Sequence, residues 1–170
     1  AALDTVQLLI NQEYENIALI STIDYVSVGK LRTDGYKKAL LQNNLPINDA
    51  LILKIEDIEN CAEKIEFLLK NENCDAIFAV NELFAVTAIK IAGKNNINVP
   101  KDLAVIGFTD GIISQFSSPT ITTVSQNGVK MGEKAARMLI EKLEIEEEDY
   151  EEQYKTEVIE TDLVERESTR

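Results

Sequence analysis

Hydroxyl, amide and carboxylate side chains come in pairs at the ends of three short apolar segments of the sequence. The pairs are Ser21–Thr22, Asn81–Glu82 and Thr109–Asp110. These groups mix hydrogen-bond donors and acceptors, and such a mixture matches a sugar hydroxyl because the hydroxyl both donates and accepts. Their types therefore favour a binding site for a neutral ligand with several hydroxyl groups.

Each candidate residue also has a structural interpretation. Asn81 stands immediately before a predicted helix, where Asn is a favoured N-cap, so capping alone would account for it. Asp110 and Gly111 form a common turn pair. Arg32, near the start of another predicted helix, belongs to a type that is usually a solvated surface charge. The residues alone leave both interpretations open.

Groups that carry common enzyme chemistry are absent from the sequence. It has no histidine, which removes His-based triads, the most frequent general base and the commonest metal ligand. It also lacks the glycine-rich phosphate loops and the G-x-S-x-G motif. The two cysteines, Cys61 and Cys74, do not have metal-ligand spacing. We therefore predict that the protein is not an enzyme and has no catalytic residues, no metal and no cofactor.

The composition predicts one soluble domain. With 170 residues, 45% of them hydrophobic, the chain is long enough for one well-packed core. Its 17 basic and 30 acidic residues give a net charge of -13, the wrong sign for neutralising the phosphates of DNA or RNA. No apolar stretch approaches the roughly 20 residues of a membrane span. We expect a cytoplasmic location and no membrane contact, although the chain begins within a predicted helix, which leaves an earlier export signal open.

Helix-like and strand-like segments alternate over residues 3–108. Apolar positions at helical spacing predict helices over 3–13, 28–42, 61–71 and 82–93, and short runs of strand formers predict strands over 16–21, 50–55, 75–81 and 102–108. The runs NIALIS, AIFAV and LAVIGF are apolar throughout, as strands covered on both faces must be. The alternation predicts an α/β fold with a doubly wound parallel sheet. Ligands bind such sheets beyond the carboxyl ends of the strands, where the polar pairs stand.

The remainder of the sequence is less regular. Residues 117–126 (SSPTITTVSQ) predict a crossing segment with one short strand, and a strongly amphipathic helix is predicted from about residue 126 to residue 143. Residues 144–152 are almost wholly acidic, which is typical of a solvated linker because like charges repel. Residues 155–168 alternate apolar and polar side chains, as a half-exposed strand does.

Five segments keep the order and spacing of one protein family. They are DAIFAVNELFAVTAIKIAG, NVPKDLAVIGFTDG, SSPTITTVSQ, MGEKAARMLIEKL and LVERESTR, and NIALIS followed by KLRTDGYKKAL extends the likeness toward the N-terminus. Together they resemble the LacI/GalR family of bacterial transcription repressors over essentially the whole chain. The resemblance implies a periplasmic binding protein-like fold of type I. This chain would supply its C-terminal subdomain and the last helix of its N-terminal subdomain.

The resemblance also implies a division of the chain. Residues 1–120 would form the C-terminal subdomain, 121–144 the crossover and the helix of the other subdomain, 145–153 an acidic linker, and 154–170 a returning strand and tail. The helix would lack its own sheet here, so we expect its apolar face, with Ala135, Met138 and Leu139, to be exposed or covered by a second chain. The family's helix-turn-helix head, which binds operator DNA, would lie outside this chain, in keeping with its acidic charge.

Four residues match positions that bind the effector in the family. Arg32 in KLRTDG matches an arginine that makes paired hydrogen bonds to effector hydroxyls, and Asn81 in AVNE matches a polar residue facing the cleft. Thr109 and Asp110 match the two acids of a G-[FY]-D-D pattern, so Thr109 puts a hydroxyl where an acid is frequent. Residues 54–57 (KIED) lack the aromatic that stacks on the effector in several members. Both departures leave the identity of the effector open.

The implied function is a binding switch. An effector, a sugar or a sugar derivative, would favour one arrangement of the two subdomains and so alter the geometry of the DNA-binding heads in a homodimer. Two alternatives share the fold. A solute-binding protein of a sugar ABC transporter would carry a secretion signal in place of the helix-turn-helix. A sugar-modifying enzyme on a Rossmann-like sheet would need a general base in the cleft and would show turnover.

Overall fold

Six α-helices and six strands alternate along the described residues, which are 1–23, 27–144 and 155–169 of a computed structural model. In chain order they are α1 (Ala2–Asn11), β1 (Ile17–Thr22), α2 (Ser27–Gln42), β2 (Ile52–Ile55), α3 (Cys61–Asn71), β3 (Ala76–Ala79), α4 (Glu82–Lys94), β4 (Ala104–Phe108), α5 (Ile112–Phe116), β5 (Thr122–Ser125), α6 (Gly128–Leu143) and β6 (Asp162–Val164). Short 3-10 turns at Asp49–Leu51 and Ile58–Asn60 precede β2 and α3.

The strands form one sheet in the order β2-β1-β3-β4-β5-β6. Neighbouring strands from β2 to β5 are parallel, and β6 is antiparallel to β5. The predicted doubly wound α/β sheet is therefore confirmed. The chain runs from β1 outward to β2 and then returns to β3 on the other side of β1, so the winding direction reverses between β1 and β3. Their carboxyl ends flank the switch point at which open α/β sheets bind ligands.

Helices bury the central strands. α1 packs on α2, and α3 packs on α4; right-handed crossovers put these two pairs on opposite faces of the sheet. Every residue of β3 and β4 is buried, as their wholly apolar sequences predicted. Tyr36 of α2 is also buried and donates its hydroxyl to the carbonyl of Ile17 at 2.8 Å, which satisfies the polar atom within the core.

The end of the chain is held in the sheet by hydrogen bonds around Ser168. Its backbone N–H donates to the carbonyl of Thr120, and its own carbonyl accepts from the N–H of Val105, both at 2.9 Å. Its buried hydroxyl accepts from the N–H of Thr122 at 2.8 Å and donates to the carbonyl of Val105. Ser168 thus fills the gap between the beginnings of β4 and β5. The regular strand in this region, Asp162–Val164, is much shorter than the alternation over 155–168 predicted.

Helix α6 has no buried side chain. Leu139 and Leu143 are 59% and 76% exposed, and Ala135 is exposed as well. The expected exposure is therefore confirmed for Ala135 and Leu139, whereas Met138 is half-buried. Residues 122–125, which the resemblance put in the crossover, form β5 and pair with β4. The predicted acidic linker over 145–153 lies outside the described residues, and within those residues no helix is long and apolar enough to cross a membrane.

Candidate ligand-binding site

The side chain of Arg32 lies at the carboxyl end of the sheet. It extends from α2, and its Nη1 donates to the carbonyl of Val80, just after β3, at 2.7 Å. Its Cζ lies 4.0 Å from the ring centroid of Phe108, the last residue of β4. A guanidinium over an aromatic face is attracted by the quadrupole of the ring. The two contacts therefore fix Arg32 across the exits of β3 and β4.

The charge of Arg32 is partly buried and has no acidic partner among the described residues. Burial lowers the pKa of the guanidinium from its ordinary value because the charged form is desolvated. The group nevertheless stays protonated at neutral pH. A desolvated cation without a counterion is unfavourable, so an acceptor brought by a ligand would stabilise this arrangement.

Gln126, the first residue after β5, joins two of the predicted site residues. Its Nε2 donates to Oγ1 of Thr109 at 2.6 Å, and its Oε1 lies 3.5 Å from Nη2 of Arg32, the outer limit of a hydrogen bond. Sequence reasoning did not single out Gln126. Its sequence context, the segment TTVSQ at the point where the chain leaves the sheet, contains no local signal that it would meet Arg32.

Thr109 has a strained backbone. Its φ is +83°, in the region that β-branched residues rarely adopt, and such strain costs about 1–3 kcal/mol. Two contacts hold it: its N–H donates to the carbonyl of Val124 at 2.9 Å, and its hydroxyl accepts from Gln126. The side chain itself is exposed. Strain kept at a strand exit that already carries Arg32 supports a functional interpretation of this turn.

Asp110 is committed to an ion pair. Its Oδ1 lies 2.7 Å from Nη2 of Arg166 in the C-terminal tail, and the two side chains are only 18% and 17% exposed. The same Oδ1 accepts from the hydroxyl of Thr123 at 3.1 Å. Arg166 in turn donates from Nη1 to the carbonyl of Ile121 at 2.8 Å and to the Thr123 hydroxyl at 3.2 Å. The carboxylate thus has a structural role that ties the turn after β4 to the tail.

Asn81 caps helix α4. Its Oδ1 accepts from the N–H of Phe84 at 2.8 Å, which is the N-cap hydrogen bond that the sequence predicted as one of two interpretations. Its side-chain NH₂ group has no partner among the described residues and is free to donate to a ligand. The neighbouring Glu82 is engaged, because its Oε1 accepts from the N–H of Ser114 at 2.6 Å and its carboxylate lies against Gly111.

The exit of β1 contributes less than its sequence suggested. Ser21 is fully buried, and its hydroxyl lies 3.4 Å from that of Thr33 on α2. Lys54 of β2 donates to the same Thr33 hydroxyl at 2.9 Å. These groups form a polar contact between β1, β2 and α2.

The site therefore brings Arg32 and Thr109 together through Gln126, with Asn81 next to the carbonyl that Arg32 binds and Asp110 turned to the tail. Three of these side chains can hydrogen-bond a small ligand, and the Phe108 ring supplies an apolar floor. Within the residues that the structure describes, no group of three or more acidic or cysteine side chains is arranged to hold a metal ion.

Residues 6–169 match the family model of the periplasmic binding protein-like domain. The chain belongs to this family. This periplasmic binding protein-like domain is 35% identical over 170 residues to the HTH-type transcriptional regulator MalR of Clostridium butyricum. The match covers 99% of this chain and 49% of that protein. It is 37% identical over 172 residues to the regulator RegA of Clostridium saccharobutylicum, and the match covers 98% of this chain and 50% of that protein.

A solved structure of a similar protein is the complex of the transcriptional regulator CelR with cellobiose. Its identity to this periplasmic binding protein-like domain is 28% and the TM-score is 0.86, over 96% of this chain and 49% of that one. The predicted membership of the LacI/GalR family is confirmed, and these relatives are regulators, not enzymes. The chain spans about half the length of the curated relatives it matches.

Proposed function

We propose that this chain is the effector-binding part of a LacI-type transcriptional regulator and that it holds a small polyhydroxylated effector beyond the carboxyl ends of β3 and β4. The observation that carries the proposal is the position of Arg32, which Val80 and Phe108 fix with Nη2 of its guanidinium 3.5 Å from Oε1 of Gln126, the residue that donates to Thr109. CelR was solved with cellobiose, which supports a carbohydrate as the effector here.

Each site residue has a role in this proposal. Arg32 donates to two oxygens of the effector, a task for which its rigid planar fork is suited. Thr109 offers a hydroxyl that donates or accepts, and the free NH₂ group of Asn81 donates. Asp110 contacts the effector with the carboxylate oxygen that Arg166 and Thr123 leave open. The Phe108 ring excludes water from one side, which strengthens the polar contacts.

The effector acts by differential affinity. An effector that binds one arrangement of the subdomains more tightly shifts the population toward that arrangement. The free energy of this shift cannot exceed the difference between the effector's binding free energies for the two arrangements. In the whole regulator this shift would change how paired DNA-binding heads, outside this chain, contact operator DNA in the cytoplasm. The relatives favour this function over a transport protein and over a sugar-modifying enzyme.

The partner in the assembly is a second copy of the protein. Its support is an apolar surface on α4 and α5, where Leu83, Ile112 and Phe116 are 46%, 72% and 81% exposed. Contiguous apolar side chains of this kind are uncommon on monomers and mark contact surfaces. We also propose the division of the chain given above, with α6 belonging to a second subdomain, because α6 buries none of its apolar residues here.

Ligand titration of the natural full-length protein tests the proposal. Sugars and disaccharides are screened for a rise in melting temperature, since a ligand that binds only the native state raises it, and the hits are quantified by calorimetry. Replacing Arg32 with Lys removes the paired hydrogen bonds but keeps the charge, and we expect about a tenfold to hundredfold loss of affinity. Arg137→Lys on the exposed surface of α6 is the matched control and is expected to bind normally.

Three outcomes would contradict the proposal in different ways. Unchanged affinity in the Arg32 variant would show that the effector binds elsewhere. Turnover of a bound sugar would favour the enzyme alternative. Failure of every sugar, neutral or charged, to bind would contradict the proposal that the effector is a carbohydrate.

A further inference from the structure

Glu82 connects helix α4 to helix α5. It is the first residue of α4, directly after the cap residue Asn81, and its Oε1 accepts a hydrogen bond from the N–H of Ser114 at 2.6 Å. A carboxylate binds a backbone N–H more strongly than a neutral acceptor does, because the bond is charge-assisted. The two residues are 32 positions apart, so this contact joins separate elements and is not a local cap.

The contact holds an element that has few other attachments. α5 is five residues long, and of its side chains only that of Ser114 is buried. A helix of this length is not stable without packing or added hydrogen bonds. Within the described part of the chain, Glu82 is the only side chain that accepts a hydrogen bond from the backbone of α5, and the buried hydroxyl of Ser114 has no partner. The position of α5 therefore depends strongly on Glu82.

Gly111, in the turn before α5, leaves room for the same carboxylate. Its φ of −91° and ψ of −175° describe an extended backbone that any residue can adopt, so the backbone conformation does not require glycine. A Cβ atom built on Gly111 would lie 2.9 Å from Cδ of Glu82 and nearer still to Oε2. Carbon atoms in contact are normally 3.5–4.0 Å apart. The close approach of Glu82 is therefore the reason that position 111 needs glycine.

α4 and α5 together carry the exposed apolar surface that we assign to the second copy. Ile112 and Phe116 lie four positions apart on α5, which puts them on one face, and Leu83 follows Glu82 directly in α4. Side chains on two elements form one contact surface only if the elements keep a fixed relative position. The bond from Ser114 to Glu82 joins these two elements.

We propose that Glu82 is a positioning residue for self-association and that Gly111 provides the space in which it acts. The carboxylate holds α5 against α4, so that Leu83, Ile112 and Phe116 present one preformed surface to a second copy. The inference rests on the proposed function, in which a second copy is the partner. Without this contact, α5 would become ordered only during association, and the entropy lost in that ordering would weaken the dimer.

Self-association of the natural full-length protein tests this role. Analytical ultracentrifugation gives the dimer dissociation constant, and hydrogen exchange reports the protection of the α5 amides. Glu82→Ala removes the acceptor and is expected to raise the dissociation constant at least about tenfold and to speed exchange in α5. Glu82→Gln keeps an acceptor oxygen and is expected to retain most of the affinity. Glu15→Ala removes an exposed acid before β1 and, as the matched control, is expected to dimerise normally.

Gly111→Ala supplies a second readout. Its added methyl group displaces the Glu82 carboxylate, so we expect a rise in the dissociation constant similar to that of Glu82→Ala. In the Glu82→Ala background the same substitution is expected to cause less than about a threefold further rise, because no carboxylate remains to be displaced. An effect of the alanine that did not involve Glu82 would be equally large in both backgrounds.

The results separate this inference from the proposed function. A native dimer whose dissociation constant is unchanged in Glu82→Ala, or is raised equally by Gly111→Ala in both backgrounds, would overturn the role of Glu82 and leave the second copy and the effector site intact. A native protein that stays monomeric at every concentration would contradict the proposed partner and this inference with it. If Glu82→Ala does not fold, Gly111→Ala with a native dissociation constant and native protection of α5 would overturn the inference by itself.

Discussion

Thr109 combines two features that sequence and structure supply separately. The sequence shows a hydroxyl where the family often has an acid, and the structure shows a backbone φ of +83° that only a few residue types accept easily. Glycine or asparagine would relieve the strain at this turn. A β-branched residue kept in a strained turn, and linked through Gln126 to an arginine without an acidic partner among the described residues, fits a position selected for its side chain and not for stability.

The ion pair between Asp110 and Arg166 is expected to stabilise the turn that presents Thr109. Arg166→Met, Asp110→Asn and the double variant form a double-mutant cycle. Because both side chains are largely buried, we predict a coupling of about 1–3 kcal/mol in the free energy of unfolding, measured by denaturant titration. Arg166 also donates hydrogen bonds to Ile121 and Thr123, so a single variant measures the loss of these bonds together with the ion pair. The cycle cancels their contribution and leaves the coupling between Asp110 and Arg166.

A matched pair on the surface provides the control for this cycle. Lys70 and Glu66 form an exposed i,i+4 ion pair on α3, for which we expect a coupling well below that of the buried pair, because solvent screens exposed charges. A coupling for Asp110 and Arg166 no larger than that of the surface pair would contradict the structural role given to Asp110. Its carboxylate would then be available to a ligand in full.

At the scale of elements, the tail that follows β6 supplies hydrogen bonds to β4 and β5 where these two strands begin. β4 and β5 are paired from Ile106 and Thr122 onward, and their preceding residues are bridged by Ser168. The same tail carries Arg166 to Asp110. One short segment therefore closes the sheet and orients the turn at the site, which gives a physical reason for the distinctive sequence LVERESTR at the end of the chain.

Ser168→Ala is predicted to destabilise the protein by about 2–4 kcal/mol. The substitution leaves the N–H of Thr122 and the carbonyl of Val105 without their hydroxyl partner in a buried position, and each unsatisfied group costs about 1–3 kcal/mol. Thermal and denaturant unfolding measure the loss. Thr156→Ala removes a hydroxyl from an exposed residue and should change stability by less than about 0.5 kcal/mol. Equal small effects of both variants would show that water replaces the Ser168 hydroxyl.

The sequence predicted the elements better than the contacts between them. The strands β1, β3 and β4 followed from apolar runs, since burial on both faces leaves that pattern in the sequence. The site contacts left no such pattern. Arg32 and Gln126 are 94 positions apart, and their approach depends on the order of the strands in the sheet, which local spacing does not encode. The resemblance to a family indicated Arg32, whereas Gln126 and Arg166 emerged only from the folded arrangement.

At the scale of the whole molecule, α6 has the amphipathic sequence of a packed helix, yet no side chain of α6 is buried among the described residues. Met131, Leu139 and Leu143 recur at helical spacing, yet they are 46%, 59% and 76% exposed. An amphipathic helix gains most of its stability from packing its apolar face. The exposed apolar face of α6 therefore supports the proposal made above that α6 belongs to a second subdomain.

Leu139→Lys in the natural full-length protein tests this covering. A lysine in a packed interface loses apolar burial and introduces a charge, so we predict a destabilisation of about 2–5 kcal/mol, measured by thermal or denaturant unfolding. Leu41→Lys is the matched control, because Leu41 of α2 is 62% exposed and should tolerate the change within about 0.5 kcal/mol. If a second copy covers α6, Leu139→Lys will weaken the rise of the melting temperature with protein concentration. If another subdomain of the same chain covers it, that rise will be the same in Leu139→Lys as in the native protein. Tolerance of Leu139→Lys equal to that of Leu41→Lys would mean that α6 remains exposed to solvent in the whole protein.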